Sequence, residues 1–271
     1  MNKKVLIVGA IVIGIAGVWM FYPRGTKTLP QAESASSAAV KELYQKANDY
    51  KRGRNLVKAK EAYQEILINH PDADNVAAIQ RELEDVNMTL LLSNAEVPGK
   101  TVVHQVVSGD TLGKIAKKYN TTVDLIKKSN NLKSDVIRLG QKLRIWNGTF
   151  SVYVDKSQNI LILRDGTDVV KVYRVSTGEN NSTPVGQFKI TSKLPNPVWF
   201  NKGIVVPPES PENVLGTRWM GFDLPGYGIH GTVEPDAIGQ QVTAGCVRMR
   251  NEEAEELYSI VPEGTKVTIV D

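Results

Sequence analysis

The chain carries one cysteine, Cys246, and three histidines, His70, His104 and His230. Cys246 and His230 stand together in GIHGTVEPDAIGQQVTAGCVRM, residues 228–249. A thiol acts as a nucleophile when a base can take its proton and N–H donors can hold the oxyanion that its attack creates. His230 is the histidine nearest to that task, and the glycines at 228 and 231 permit close backbone approach to a ligand. Gly245 gives the same freedom just before Cys246, which makes the N–H groups of Gly245 and Cys246 the candidate oxyanion donors. The same residues have a plainer use: a lone cysteine packs as a small hydrophobe, and a histidine among glycines serves as a satisfied turn residue. Residue type and spacing leave both readings open.

The elements that would position this pair begin at residue 150. Short alternating or apolar runs at 150–155, 160–164, 168–176, 186–192 and 266–270 read as strands, broken by DGT, GENNSTPVG and several prolines. Only 252–260 reads as a helix, so residues 149–271 form a mostly β domain. Before it, 104–107 alternates like a strand, Gly109-Asp110 turns, and Thr111 and Thr122 cap two short helices. A strand at 142–146 closes this β-α-α-β unit over 102–147. His104 belongs to the first strand of that unit. His70 lies in a helical stretch, 38–95, in which two helices meet near Arg52-Gly53 and a third follows at 76–92.

The amino terminus has a different character. No residue from Val5 to Tyr22 is charged, and eighteen helical residues at about 1.5 Å each approach the roughly 30 Å of a bilayer core. With Lys3 and Lys4 before it, the run reads as a transmembrane anchor over 1–22, with a cleaved signal peptide as the rival. That reading places the chain at the cytoplasmic membrane as a single-pass protein with its catalytic part exported to the periplasm or wall. Export makes an unpaired thiol costly unless it is buried or used. Residues 23–37, rich in Pro, Gly and Ser, read as a linker.

The formal net charge is +4 over 271 residues, with +6 concentrated in 101–148 and −4 in 149–271. This gives no case for a nucleic-acid partner and suggests a polyanionic neighbour for the middle segment. No His, Cys, Asp or Glu cluster has metal-ligand spacing, so neither metal nor cofactor is expected.

Three resemblances extend this reading. Leu43, Ala47, Tyr50, Ala59, Tyr63 and Pro71 are spaced as in one tetratricopeptide repeat, which implies a helical spacer or a docking site for a protein partner. VVSGDTLGKIA, Asn130-Asn131 and LGQKL resemble a LysM domain. That resemblance implies binding of N-acetylglucosamine-containing glycan strands beside Gly109, Asp110, Thr111 and Leu112, with Ile137 opposite, although Gly109, Asp110 and Thr111 also suffice as a turn and a cap.

The third covers 149–271. Val175-Ser-Thr-Gly178, Thr183-Pro-Val-Gly-Gln-Phe188, Val206-Pro-Pro208, Asn213-x-Leu-Gly-Thr-Arg-Trp219, Ile229-His-Gly-Thr232 and Thr243-x-Gly-Cys-Val-Arg-Met249 occur in order as in the L,D-transpeptidases with a YkuD-type domain. The resemblance implies Cys246 as nucleophile, His230 as base, and Gly231 and Gly245 as residues shaping the site. Arg248 would contact a substrate carboxylate or hold structure. Thr232, Tyr227, Trp219 and Trp199 would border the groove for peptidoglycan stem peptides, the aromatic residues serving equally as core. The implied reaction joins tetrapeptide stems by 3→3 cross-links through a thioester. An L,D-carboxypeptidase, an enzyme attaching protein to the wall, and a lapsed scaffold are the alternatives. One departure stands out: the family's histidine before Gly-Cys is Ala244 here. The expected whole is a multidomain α+β chain of transmembrane helix, tetratricopeptide-like helical hairpin, LysM domain and mostly β catalytic domain.

Overall fold

A computed structural model of the chain describes residues 30–201 and 203–271, with the side chains of 30–37 and 201 left aside. It divides into two compact units, the second running from Pro98 to Asp271.

Helices α1 (Pro30–Arg52), α2 (Leu56–Asn69) and α3 (Val76–Leu92) make up the first unit. Helix α1 already covers residues 30–37 of the expected linker, because Gln31–Val40 holds good helix formers and no Gly or Pro. Gly53 and Arg54 break the helix, the latter at φ 57°, and Asn55 caps α2 by accepting from the Lys58 N–H at 3.4 Å. The apolar stripes then meet: Tyr63, Ile66 and Ile79 are fully buried, and the Tyr63 hydroxyl donates to Asn48 at 2.8 Å. Lys51 at the end of α1 reaches Glu82 and Asp85 of α3 at 2.7 and 2.6 Å. The tetratricopeptide-like segment is corrected by this arrangement: the described residues contain one helical pair and a third helix closed on their own core. Among the described residues no second such pair stacks on it to make a repeat array.

The membrane assignments are corrected as well. Among the described residues no helix is long and apolar enough to cross a membrane. The anchor expected at 1–22 lies outside those residues. The transmembrane element of the fold class, the membrane partner and the single-pass location have no support among the described residues.

The second unit starts with the expected β-α-α-β module. Strands β1 (Thr101–Gln105) and β2 (Lys142–Trp146) pair antiparallel, with Thr101 opposite Trp146. Between them lie α4 (Leu112–Lys118) and α5 (Val123–Ser129). Thr111 and Thr122 accept from the Lys114 and Leu125 N–H groups at 3.2 and 2.9 Å, the N-caps that sequence suggests. Val106, Leu112, Ile115, Ala116, Ile126, Leu143 and Ile145 form its core.

The remaining strands are β3 (Phe150–Asp155), β4 (Ile160–Asp165), β5 (Asp168–Arg174), β6 (Thr177–Gly178), β7 (Gly186–Pro195), β8 (Trp199–Asn201), β9 (Ile204–Val206), β10 (Arg218–Phe222), β11 (Gly228–His230), β12 (Gln241–Thr243), β13 (Val247–Arg248) and β14 (Lys266–Val270). Eight of them form one sheet in the order β13-β11-β10-β7-β14-β3-β4-β5. Within this sheet two pairs are parallel: β14 with β3, which brings residues 266–270 beside the start of the domain, and β11 with β13, next to Cys246; β12 and β6 form a third parallel pair outside it. Helix α6 (Asn251–Ile260) covers the sheet with Ala254, Leu257 and Ile260, all fully buried.

The small module is packed on this domain. Thr122 donates to the Ser259 carbonyl, and Lys128 Nζ donates to the Ser259 hydroxyl at 2.9 Å. Buried Asp165 accepts from Lys100 at 2.8 Å and from the Trp146 indole at 3.3 Å. Lys193 places its ammonium on the Tyr258 and Val261 carbonyls at 2.6 and 2.8 Å, where the carboxyl end of α6 favours a cation.

Candidate active site

Strands β11 and β13 run parallel with Ile229 opposite Val247 and His230 opposite Arg248. Ile229 and Val247 are fully buried on one face of the sheet. His230 and Arg248 are paired across the two strands, and Cys246 stands in the bend immediately before β13, one residue ahead of Val247. The strand register thus brings side by side the segments that carry two residues sixteen positions apart in sequence.

His230 is 3% exposed, and its ring stacks on Trp219, with centroids 6.0 Å apart and planes 22° from parallel. Strand β10 supplies that tryptophan directly opposite the histidine. Nδ1 lies 2.7 Å from the Gly231 carbonyl oxygen, which can only accept. Nδ1 therefore carries the hydrogen and Nε2 keeps its lone pair. Burial pushes the imidazole down to about 4, opposed by the Gly231 carbonyl and aided by the nearby Arg248 charge. At neutral pH this is a neutral base.

The half-buried Cys246 donates its thiol hydrogen toward the Gly226 carbonyl at 3.5 Å. Burial pushes the thiol up, while the Gly228 N–H and Arg248 act in the opposite direction. At rest the thiol and the imidazole are both neutral. The thiol's hydrogen-bond partner is the 226–228 loop rather than the histidine.

The turn before Cys246 depends on Thr243, which sequence reasoning quoted in its motif without giving it a role. Its hydroxyl donates to the Cys246 carbonyl at 2.6 Å and accepts from the Gly245 N–H at 3.2 Å. The Gly245 N–H is thereby spent. The Cys246 N–H has no protein partner among the described residues and is the better-placed oxyanion donor of the two candidates. Gly245 lies at φ 133°, and a Cβ there would meet the Tyr227 ring at 2.7 Å and the Ser182 carbonyl at 3.2 Å. It shapes the site as expected, with Tyr227 as its wall.

Arg248, 7% exposed, donates from Nη1 to Glu234 at 2.8 Å. Its Nε is buried without a partner. Glu234, whose side chain is 62% exposed, had no place in the sequence reading. Thr232 is buried, its hydroxyl accepting from the Glu234 N–H at 2.9 Å. Trp199 lies in the separate β8–β9 hairpin beside exposed Phe200, Ile204 and Val205.

In the small module, Asp110 accepts from the Val107 N–H and faces His104 Nε2, both at 2.9 Å; these bonds hold its carboxyl below the usual range. Lys114 Nζ donates to the Gly109 carbonyl at 2.8 Å. Leu112 is 3% exposed and belongs to the core, and Ile137 packs partly against the same core. Gly109 and Thr111 remain exposed.

The class defined by fold and site is a mixed α+β chain: an eight-stranded sheet with a histidine on β11 and a cysteine just before the parallel strand β13, and a β-α-α-β module packed on it. Residues 149–269 match the YkuD model, described as the L,D-transpeptidase catalytic domain. Residues 104–146 match the LysM domain. YqjB of Bacillus subtilis, named as an L,D-transpeptidase, is 42% identical over 126 residues, covering 44% of this chain and 70% of that protein. YkuD of Bacillus licheniformis, similarly named, is 32% identical over 176 residues, 62% of this chain and 98% of that one. YkuD of Bacillus subtilis is 31% identical over 175 residues. The chain belongs to the L,D-transpeptidase family with a YkuD-type catalytic domain.

Proposed function

We propose that the chain is a peptidoglycan L,D-transpeptidase forming 3→3 cross-links between stem peptides through a thioester on Cys246. The observation that supports this reading most is the neutral His230, its Nε2 lone pair free, on the strand paired with the one that Cys246 immediately precedes.

In the first half-reaction the thiol turns from the Gly226 carbonyl and gives its proton to Nε2 as Sγ attacks the carbonyl carbon of the third stem residue. The oxyanion is held by the Cys246 N–H. As the tetrahedral intermediate collapses, the C–N bond breaks, His230 returns the proton to the departing D-Ala amine, and the thioester remains. In the second, the side-chain amine of another stem attacks the thioester, its proton passes to His230, and the C–S bond breaks to restore the thiol. Bonds and protons balance without a cofactor. Arg248 is the register partner of His230 and acts on the thiol, and its guanidinium suits a stem carboxylate if Glu234 yields. The LysM module holds glycan, for which the exposed Gly109 and Thr111, the half-exposed Asp110 and Ile137 and the backbone of Leu112 are the proposed contacts. Tethering both parts to one polymer raises the local concentration of stems.

The test is mass spectrometry of the full chain with a disaccharide-tetrapeptide, beside Cys246→Ala. An adduct lacking D-Ala followed by a dimer supports transfer. An adduct followed only by tripeptide identifies a carboxypeptidase. No adduct on the folded, reduced chain refutes acyl transfer.

A further inference from the structure

Asn251, the first residue of α6, follows the cysteine segment by five positions and faces the loop after His230. Its Oδ1 accepts from the Thr217 N–H at 3.1 Å and from the Thr232 N–H at 3.0 Å. Its Nδ2 donates to the Thr232 carbonyl at 2.8 Å. The amide thus satisfies three backbone groups from two separate segments. Room for it exists because two neighbours lack a Cβ: one on Gly216 would sit 2.2 Å from Oδ1, and one on Gly231 2.1 Å from it.

The Thr232 N–H and the Gly231 carbonyl are the two ends of one peptide unit. In a planar trans peptide these groups point in opposite directions. Holding the N–H on Asn251 Oδ1 therefore aims the Gly231 carbonyl away from Asn251, and the atom it meets is His230 Nδ1 at 2.7 Å. Polarisation along such a chain of hydrogen bonds strengthens each member. The second acceptor contact, to Thr217, ties the same amide to the residue before β10, the strand whose Trp219 stacks on the imidazole. Ring plane and tautomer are thus governed from one side chain.

We propose that Asn251 is a positioning residue for the reaction: acting through the Gly231–Thr232 peptide, it holds His230 in the Nδ1–H tautomer and keeps Nε2 as the base. It touches neither substrate nor thiol. The proposal rests on the reading of Cys246 and His230 as the acylating pair, and its primary readout is independent of activity. Nitrogen-15 NMR of the imidazoles in the full chain, assigned with His230→Gln, reports the tautomer directly. In the unmodified chain Nδ1 must carry the hydrogen; an Nε2–H tautomer there overturns the proposal outright. In Asn251→Ala the single tautomer is expected to give way to a mixture. Thioester formation is expected to fall about 10- to 100-fold, in the range seen when an orienting partner is removed, with KM for the tetrapeptide little changed. Asn251→Asp, which still accepts from both N–H groups, is expected to keep the tautomer and most of the rate. A folded Asn251→Ala with unchanged tautomer and rate refutes the idea. So does a folded Asn251→Asp that loses the tautomer. If the unmodified chain has the Nδ1–H tautomer yet forms no thioester, the acyl-transfer reading fails while the positioning role stands.

Discussion

Acid should destabilise the fold through His230 by an amount that the structure specifies. The perturbation is a change of pH from 7 toward 3.5, compared between the natural chain and His230→Gln so that every other titrating group cancels. Burial holds the folded imidazole at about 4, against an ordinary value of 6.5. Between those values the unfolded chain binds a proton that the folded chain refuses. Stability contributed by the neutral ring is therefore intact above about 6.5 and is lost as pH falls toward 4. The shift of about 2.5 units corresponds to about 3 kcal/mol in full, and about 2 kcal/mol of it should be gone by pH 5. Urea denaturation at several pH values measures this as the change in the stability difference between the two proteins. A difference that stays flat from pH 7 to 4 refutes the reasoning, as does a His230 titration near 6.5 by NMR.

Gly245→Ala should both destabilise and inactivate, because a methyl group at φ 133° meets the Tyr227 ring at 2.7 Å. We expect a loss of about 1–3 kcal/mol by thermal unfolding and no detectable thioester by mass spectrometry; an active variant of normal Tm contradicts the packing. Thr243→Val removes both bonds of the turn before Cys246. Its acylation rate should drop while stability changes by about 1 kcal/mol, and Thr243→Ser should restore the rate; equal rates in all three chains contradict the role. Leu112→Ala should cost about 2–5 kcal/mol in denaturant unfolding. A near-neutral result would mean that the side chain is not core and is free to meet glycan.

What the sequence made legible was local. The alternation at 150–155 and 266–270 and the apolar stripe at 76–92 match observed elements to the residue, as strands and a helix. Thr111 and Thr122 were readable as caps because a cap needs only its own helix. Cys246 and His230 are read as nucleophile and base through the resemblance of ordered residue blocks to the family, since type and spacing alone leave the plainer reading open. Strands β8 to β13 were not legible: they are two to five residues long, and periodicity needs more. Asn251 was invisible for another reason. Its partners lie nineteen and thirty-four positions away, so nothing beside it in the chain marks it. The contact of Thr122 and Lys128 with Ser259, more than one hundred and thirty positions apart, likewise turns two domains that read as separate into one compact unit.

The alanine before Gly-Cys has a different significance once the fold is known. Sequence comparison with the family pattern raises the question of whether an absent imidazole leaves the thiol untuned. Residue 244 is exposed, on the solvent side of the turn that Thr243 closes. The groups that act on the thiol are its own burial, the Gly228 N–H and Arg248, all supplied by the β11–β13 pair. A charge at an exposed position is screened by water within about 8–10 Å at ordinary ionic strength, whereas Arg248 is buried and is among the groups that act on the thiol. In the proposed reaction the thiol would be tuned by these strand-borne groups, and position 244 would act on what approaches from the solvent side.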